Sequence, residues 1–400
     1  TETYCWGTDA HVGDGMTGLD LWQPTQVAND IGFPLNKDFV EVACEGLEHT
    51  CARTSDGTEV YCWGDNGGGQ LGDGTFDDKE WAIAVLSAEN TPGLPLAIDQ
   101  LFMVDNASFG LTEAGEVVIW GGSNLYAQHI WTDSGPISGL TTSCLWRPDG
   151  QAYCSGLNDE GQLGQGEAGH YDHKHTTPYL VEGVSPTSLS ATHANLCAVE
   201  GGQVRCWGAS NHLGTGPSGH AQSPPGGDPV IDTEGEPIEA VLVEGGMSHV
   251  CAVLADGGDV VCWGNDDSTL GAGWSVDGSV ANPITAFSDD ETPSLTGVID
   301  LSVSNDKTCA VAGPEGHVLC WGYDCSGVVP QGGVVFTAEQ GEVLTGAVDV
   351  HASIWADGGN CGPNHACAVV GLPDAAEGPQ GEVWCWGANT EGQLGDGTVS

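Results

Sequence analysis

Short runs in which apolar and polar residues alternate, separated by glycine-rich turns, fill this chain. The clearest pair is Thr50 to Thr54 and Glu59 to Trp63, on either side of Asp56-Gly57. Alternation with period two predicts half-buried strands. An Asp-Gly between two such runs predicts a hairpin with a two-residue turn, because both turn positions need φ > 0. With Asp56 and Gly57 at the turn, directly opposed residues have numbers summing to 113, and Cys51 and Cys62 satisfy that sum. Opposed residues of an antiparallel pair lie about 4.5–5.5 Å apart at Cα, a span a disulfide can bridge. The stretch predicts a hairpin stapled across its strands and followed by a glycine-rich loop.

Much of the chain repeats this unit. The hairpin tail returns as Cys5-Trp6-Gly7, Cys62-Trp63-Gly64, Cys206-Trp207-Gly208, Cys262-Trp263-Gly264, Cys320-Trp321-Gly322 and Cys385-Trp386-Gly387, with degenerate copies at Ile119-Trp120-Gly121 and Cys154-Ser155-Gly156. Fronts at Cys51, Phe109, Cys144, Cys197, Cys251, Cys309 and Cys367 complete seven hairpins. The opposition test pairs Cys144 with Cys154 around Pro148-Asp149-Gly150, and Cys197 with Cys206 around Gly201-Gly202. It pairs Cys251 with Cys262 around Asp256-Gly257, Cys309 with Cys320 around a four-residue turn, and Cys367 with Cys385 around the insertion 371–381. The remaining hairpin sets Phe109 opposite Ile119, an apolar pair in place of the covalent one. Six cross-strand disulfides are expected, in an oxidising compartment. Spacings of nine residues or more are unlike zinc ligand pairs. Cys5, Cys44, Cys325 and Cys361 are left over, with three possible connectivities.

Each repeat also carries two further extended runs. We place them before the hairpin, as Gln26 to Ala28 and Phe39 to Cys44 in the first repeat, and Ala82 to Leu86 and Ala97 to Val104 in the second. Four strands at a mean period of roughly 54 residues predict an all-β, seven-bladed β-propeller of four-stranded blades, residues 1–400 forming one domain. Residues 1–20 hold a hairpin tail without a front, an extra strand and loop out of phase with the repeat; eight blades is the alternative.

His49-x-Cys51-Ala52, Asp56-Gly57, Cys62-Trp63-Gly64 and Gly69-Gln70-Leu71-Gly72-Asp73-Gly74-Thr75 form a pattern that resembles the regulator-of-chromosome-condensation (RCC1-like) repeat family, in its secreted, disulfide-stapled bacterial form. The second half returns at Cys385 to Thr398 and at Gly161-Gln162-Leu163-Gly164. The resemblance covers essentially the whole chain and implies a propeller that binds proteins with a rim or a face. It does not specify an activity, since the family includes a nuclear exchange factor, secreted β-lactamase inhibitors and adhesion-like proteins.

Charge narrows the choice. The chain has 56 acidic and 7 basic residues, a formal net charge of −49. Such a balance argues against nucleic acid and anionic membrane surfaces as partners. No apolar run approaches the length of a membrane span, and no signal peptide remains at Thr1, so the chain reads as a mature exported product or a fragment of one, extracellular or at the cell surface.

Candidate chemistry is sparse. His170, Asp172, His173 and His175 lie within six residues and form the one candidate metal-ligand group. The Gly-Asp-Gly-Thr loops at Asp73 and Asp396, with Asp14 in variant form, make calcium the candidate cofactor; the same residues suit a turn in which Asp bonds nearby amides. His49, His249 and His365 recur at one repeat position and are expected to bond backbone between blades. The recurring tryptophans are expected to pack. No nucleophile elbow, phosphate loop or dinucleotide fingerprint is present. The expected function is a non-enzymatic module binding another protein or copies of itself. The alternatives are a subunit of an extracellular filament or lattice assembled by strand or loop exchange, and an enzyme with a site in the central channel.

Overall fold

The computed structural model describes residues 4–7, 21–26, 39–43, 49–86, 97–104, 107–112, 115–121, 124–131, 139–140, 144–156, 175–181, 183–192, 195–208, 213–215, 228–246, 249–264, 270, 279–283, 295–304, 307–322, 333–334, 344–352, 365–371 and 382–387. Among them every regular element is a strand, and all named strand pairs are antiparallel.

The chain divides into two compact units, residues 1–137 with 389–400 and residues 138–388. The first unit contains sheet I (Phe39–Ala43, His49–Thr54, Val60–Gly64, Lys79–Ala84) and sheet II (Ile98–Val104, Ala107–Thr112, Val117–Gly121, Asn124–Trp131). It also holds a two-stranded pair, Tyr4–Gly7 with Leu21–Gln26. The second unit contains five sheets. Sheet III is Gly139–Leu140, Cys144–Trp146, Ala152–Gly156 and His175–Leu180, and sheet IV is Ser188–Ala191, Asn195–Glu200 and Gln203–Gly208. Sheet V is Ala240–Gly245, His249–Leu254, Val260–Gly264 and Asn282–Pro283. Sheet VI is Asp300–Val303, Lys307–Ala312, His317–Gly322 and Gly333–Val334, and sheet VII is Ala347–Ala352, His365–Val370 and Glu382–Gly387.

The hairpins keep the predicted register. All six expected cystines are present, each joining directly opposed residues with Cα atoms 4.1 Å apart. Phe109 lies opposite Ile119. Turn geometry differs more. Gly201-Gly202 is the expected two-residue turn, with Glu200 paired to Gln203 and both glycines at positive φ. At Asp56-Gly57 the turn is wider: Gly57 donates its N–H to the Thr54 carbonyl, and Glu59 carbonyl accepts from Thr54. The Asp56 carboxylate accepts from Thr58 N and from the hydroxyls of Thr54 and Thr58, so a side chain reinforces the backbone turn.

The outer run belongs to a different repeat from the one expected. Ile83 pairs with Cys62, so Lys79–Ala84 ends sheet I instead of beginning sheet II. An edge strand carries the same alternation whichever hairpin it joins, and only the return of the chain after the glycine-rich loop decides. This also accounts for the phase of the N-terminal segment. Tyr4–Gly7 and Leu21–Gln26 pair as a third and fourth strand do, with the same irregularity at Cys5/Gly7 as at Cys62/Gly64.

The Cys-Trp pair explains how sheets stack. Successive side chains of a strand point to opposite faces. The cysteine therefore faces the following sheet and the tryptophan the preceding one. Cys51, Cys62, Leu71 and Val60 of sheet I bury against Ile98, Leu101, Val118 and Trp120 of sheet II. The same arrangement sets Cys197 and Cys206 in one core with Trp263, and Cys251 and Cys262 with Trp321. The loop leucine joins each core, and Gly72 lets its loop lie on the Trp120 ring, where a Cβ would come within 2.8 Å.

Turns also latch consecutive sheets. Ile98 donates its N–H to the Gly57 carbonyl at 2.8 Å, Ala240 to Gly202 at 2.8 Å and Ala347 to Gly316 at 3.1 Å. Gly57 sits at φ +65°, and a Cβ there would meet the Ile98 carbonyl oxygen at 2.3 Å.

Candidate interaction surface

The recurring polar residues are consumed by the scaffold. His49 Nε2 lies 2.8 Å from the Ser108 hydroxyl of the next sheet, and His249 Nε2 lies 2.8 Å from the Thr308 hydroxyl. Both contacts reach a side-chain hydroxyl of the following sheet. Backbone enters one step later, where the Ser108 hydroxyl donates to the Gln70 carbonyl. Asn66 is fully buried and ties its loop together, donating to Asp73, Thr75 and Asp77 and accepting from Leu71 N–H. Burial raises the Asp73 carboxyl, but hydrogen bonds from Thr75 and the nearby Lys79 ammonium outweigh it, and its pKa is lowered. The tryptophans Trp63, Trp120, Trp207, Trp263 and Trp321 are buried.

His170, Asp172 and His173 lie outside the described residues. His175 begins the fourth strand of sheet III opposite Gly156, its side chain likewise outside them. Asp14, Asp396, Cys44, Cys325 and Cys361 also lie outside, as does the side chain of Cys5. Among the described residues no three His, Cys, Asp or Glu side chains form a metal-holding group. No helix among them is long and apolar enough to cross a membrane.

Four of the exposed large apolar side chains, Val40, Val241, Ile299 and Val348, sit on or directly before the first strand of a sheet. The first strands of sheets IV and V, and those of sheets VI and VII, run side by side and in parallel. Asp300 accepts from Val350 N–H at 2.8 Å and Ser302 from Ala352 N–H at 3.0 Å; Ser188 and Ser190 serve Val243 and Gly245 in the same way. Side chains of one sheet thus satisfy the edge amides of the next, which blunts an otherwise adhesive strand edge. In sheet I of the first unit Glu41 does the same for Leu101 N–H.

At the start of these strands the register slips between Ala240 and Leu242 and between Ala347 and Asp349, with the same slip at Phe39/Glu41 and Ile98/Gln100 in the first unit. A bulge leaves one residue unpaired and re-aims its side chain. The residues so placed are Val241 and Val348, which are 59% and 42% exposed. Ile299 occupies the equivalent position of sheet VI and is 62% exposed. Val40, in the first unit, is 54% exposed. The flanking residues are acidic: Glu239 before Val241, Asp300 after Ile299, Asp349 after Val348. Burial raises the pKa of Asp300, the Val350 N–H opposes that shift, and the negative charge of Asp349 adds to it.

Period-two alternation alone does not single these positions out. The available signal was two consecutive apolar residues where alternation allows one: Phe39-Val40, Ala240-Val241, Val298-Ile299 and Ala347-Val348.

Residues 39–70 match the model of the regulator of chromosome condensation (RCC1) repeat. Among curated proteins, the chain is similar to the human E3 ubiquitin-protein ligase HERC2, 28% identical over 234 residues, which are 52% of this chain and 5% of that protein. It thus spans only a small part of that relative. It is also similar to the ultraviolet-B receptor UVR8 of Arabidopsis thaliana, 24% identical over 98% of this chain and 73% of the receptor. Among solved structures, Prp20p of Saccharomyces cerevisiae superposes with a TM-score of 0.60 at 18% identity, covering 94% of this chain and 92% of that one. Human WBSCR16 gives 0.61 at 17% identity, covering 88% and 96%. These likenesses show the fold, with the sheets as propeller blades.

Proposed function

We propose that this chain belongs to the RCC1-like repeat family and is a non-enzymatic protein-interaction module of an oxidising, extracellular or cell-surface setting, whose binding face is built on the first strands of its sheets. The observation that carries this reading is the division of labour among residues. The recurring His, Asn, Asp and Trp side chains are engaged in holding loops and sheets together, while aliphatic side chains recur in exposed positions at one end of neighbouring strands. Exposed apolar groups gathered this way mark interaction sites. The six cystines favour an oxidising compartment. Prp20p is described with binding properties toward Gsp1p and histones, and as bound to Kap60, so proteins of this fold do serve as protein binders.

The test is native mass, alone and with partner. The chain is expected at single-chain mass with or without a calcium chelator, and at a defined stoichiometry with a purified partner identified by crosslinking on intact cells. An open-ended ladder of sizes that collapses when residues 1–20 are removed would replace this reading with the filament or lattice subunit.

A further inference from the structure

We propose that the exposed arc of Val241, Ile299 and Val348 docks a cationic, aliphatic peptide segment of a partner protein, the aliphatic side chains seating on the arc and the lysines or arginines meeting the acidic residues beside it. The inference rests on the interaction-module reading and adds the chemistry of the partner.

Three observations converge. First, the arc is continuous within the second unit. Hydrogen bonds from Val350 to Asp300 and from Ala352 to Ser302 fix one offset between the first strands of sheets VI and VII, which brings Ile299 level with Val348 and Asp349. Between sheets V and VI, Gly246 lies against the Ser304 carbonyl at one end of the first strands, and at the other the Gly257 and Gly258 carbonyls of sheet V accept from Gly297 and Val298 N–H, so that Val241 and Ile299 each stand at the start of neighbouring first strands. Second, fold stability gives no reason for these side chains. A valine or isoleucine with roughly half its surface in water contributes little to a core, and each sheet buries the preceding residue, as with Ala240 and Ala347.

Third, the charge beside the arc is of one sign. Asp349 and Glu239 are exposed, and Asp300 is half-buried against the charge of Asp349. Like carboxylates near each other disfavour one another's ionisation, and a cation placed between them removes that cost. His351, on the same strand, is the one group of potentially opposite sign among the described residues of these three first strands. A chain with 56 acidic and 7 basic residues draws cationic segments toward it at long range, but that attraction is indifferent to where they land. The aliphatic arc would supply the place.

The experiment separates the local site from that general attraction. Fluorescein-labelled octapeptides of alternating lysine and valine, and of alternating lysine and serine, are titrated with the full chain at about 0.15 M salt, where exposed charges more than about 8 Å apart are screened. The lysine–valine peptide is expected to bind at least about tenfold more tightly than the lysine–serine peptide of equal charge, a modest gain for burying three aliphatic side chains. In the Val241→Ser/Ile299→Ser/Val348→Ser variant the two affinities become equal. In a Phe76→Ser/Val383→Ser variant, which removes apolar groups of similar exposure elsewhere, the tenfold ratio remains. Equal affinities for the unmodified chain, or a ratio that survives the triple substitution, overturns the proposal. The substituted residues are exposed, and an unchanged melting temperature verifies that the variants fold. A natural partner that binds the triple variant as tightly as the unmodified chain overturns this site and leaves the interaction-module reading standing.

Discussion

Ser108 shows how much a single hydroxyl carries here: it meets the His49 imidazole of the preceding sheet and donates to the Gln70 carbonyl of that sheet's glycine-rich loop. Ser108→Ala leaves a buried carbonyl without its donor and takes a partner from a buried imidazole, which is expected to cost about 1–3 kcal/mol in denaturant unfolding. Ser108→Thr is expected to be tolerated, because Thr308 meets His249 at the equivalent place. Asp300 gives a pH signature. Its folded pKa is raised, by burial first and by Asp349 second, against the Val350 N–H. The folded state therefore holds this proton at pH values where the unfolded state has lost it, and the residue's contribution falls as pH rises through the raised pKa. Asp300→Asn retains an acceptor for Val350 and removes the charge. Its melting temperature should exceed that of the unmodified chain at neutral pH, and the difference should close as pH falls through the raised pKa. Asp73 has the opposite sign. Its lowered pKa gives a contribution that is present above the ordinary carboxylate range and lost as pH falls through the folded value.

At the scale of the element, the hairpin turn is where one sheet grips the next. Gly57 needs φ +65° and also has the Ile98 carbonyl where a Cβ would be, whereas Gly202 needs φ +89° with open space around it. Gly57→Ala must break the latch to Ile98, while Gly202→Ala meets backbone strain alone. The first is expected to destabilise by about 2–4 kcal/mol and the second by about 1–2, measured by thermal or denaturant unfolding. Equal losses would mean that the close approach between sheets contributes nothing. Sheet II shows the same logic for the staples. Phe109 and Ile119 hold the positions that cystines hold in the other complete hairpins, so the cross-strand position demands an apolar pair and accepts a covalent one.

For the whole molecule, the cystines and the charge set the terms of stability. Twelve of the 16 cysteines are joined, so a thiol titration under denaturing, non-reducing conditions is expected to find at most four, at Cys5, Cys44, Cys325 and Cys361. Twelve or more free thiols would refute the staples and the oxidising compartment together. Each staple closes a loop of about ten residues or somewhat more and is worth roughly 2–4 kcal/mol on loop-entropy grounds, so reductant should lower the unfolding midpoint markedly. A net charge of −49 opposes compaction, and added salt should partly restore stability in either redox state.

By itself the sequence determined everything that is local and repeated. Period-two alternation with a turn signal fixes a hairpin's register, and register fixes which cysteines can meet; Cys51 with Cys62 needed no more than counting. The Cys-Trp dipeptide likewise carries its two burial faces in its spacing. Tertiary structure alone decided what depends on a neighbour. Lys79–Ala84 alternates equally well for either adjacent hairpin, and the return of the chain assigned it to sheet I. His49 was legible as a repeated residue, yet its partner lies 59 positions away in another sheet. Val241, Ile299 and Val348 read as ordinary strand residues. A bulge turns Val241 and Val348 outward and the stacking of sheets sets neighbouring first strands side by side; doubled apolar residues mark the positions, but which of the two turns outward depends on the pairing with the next strand.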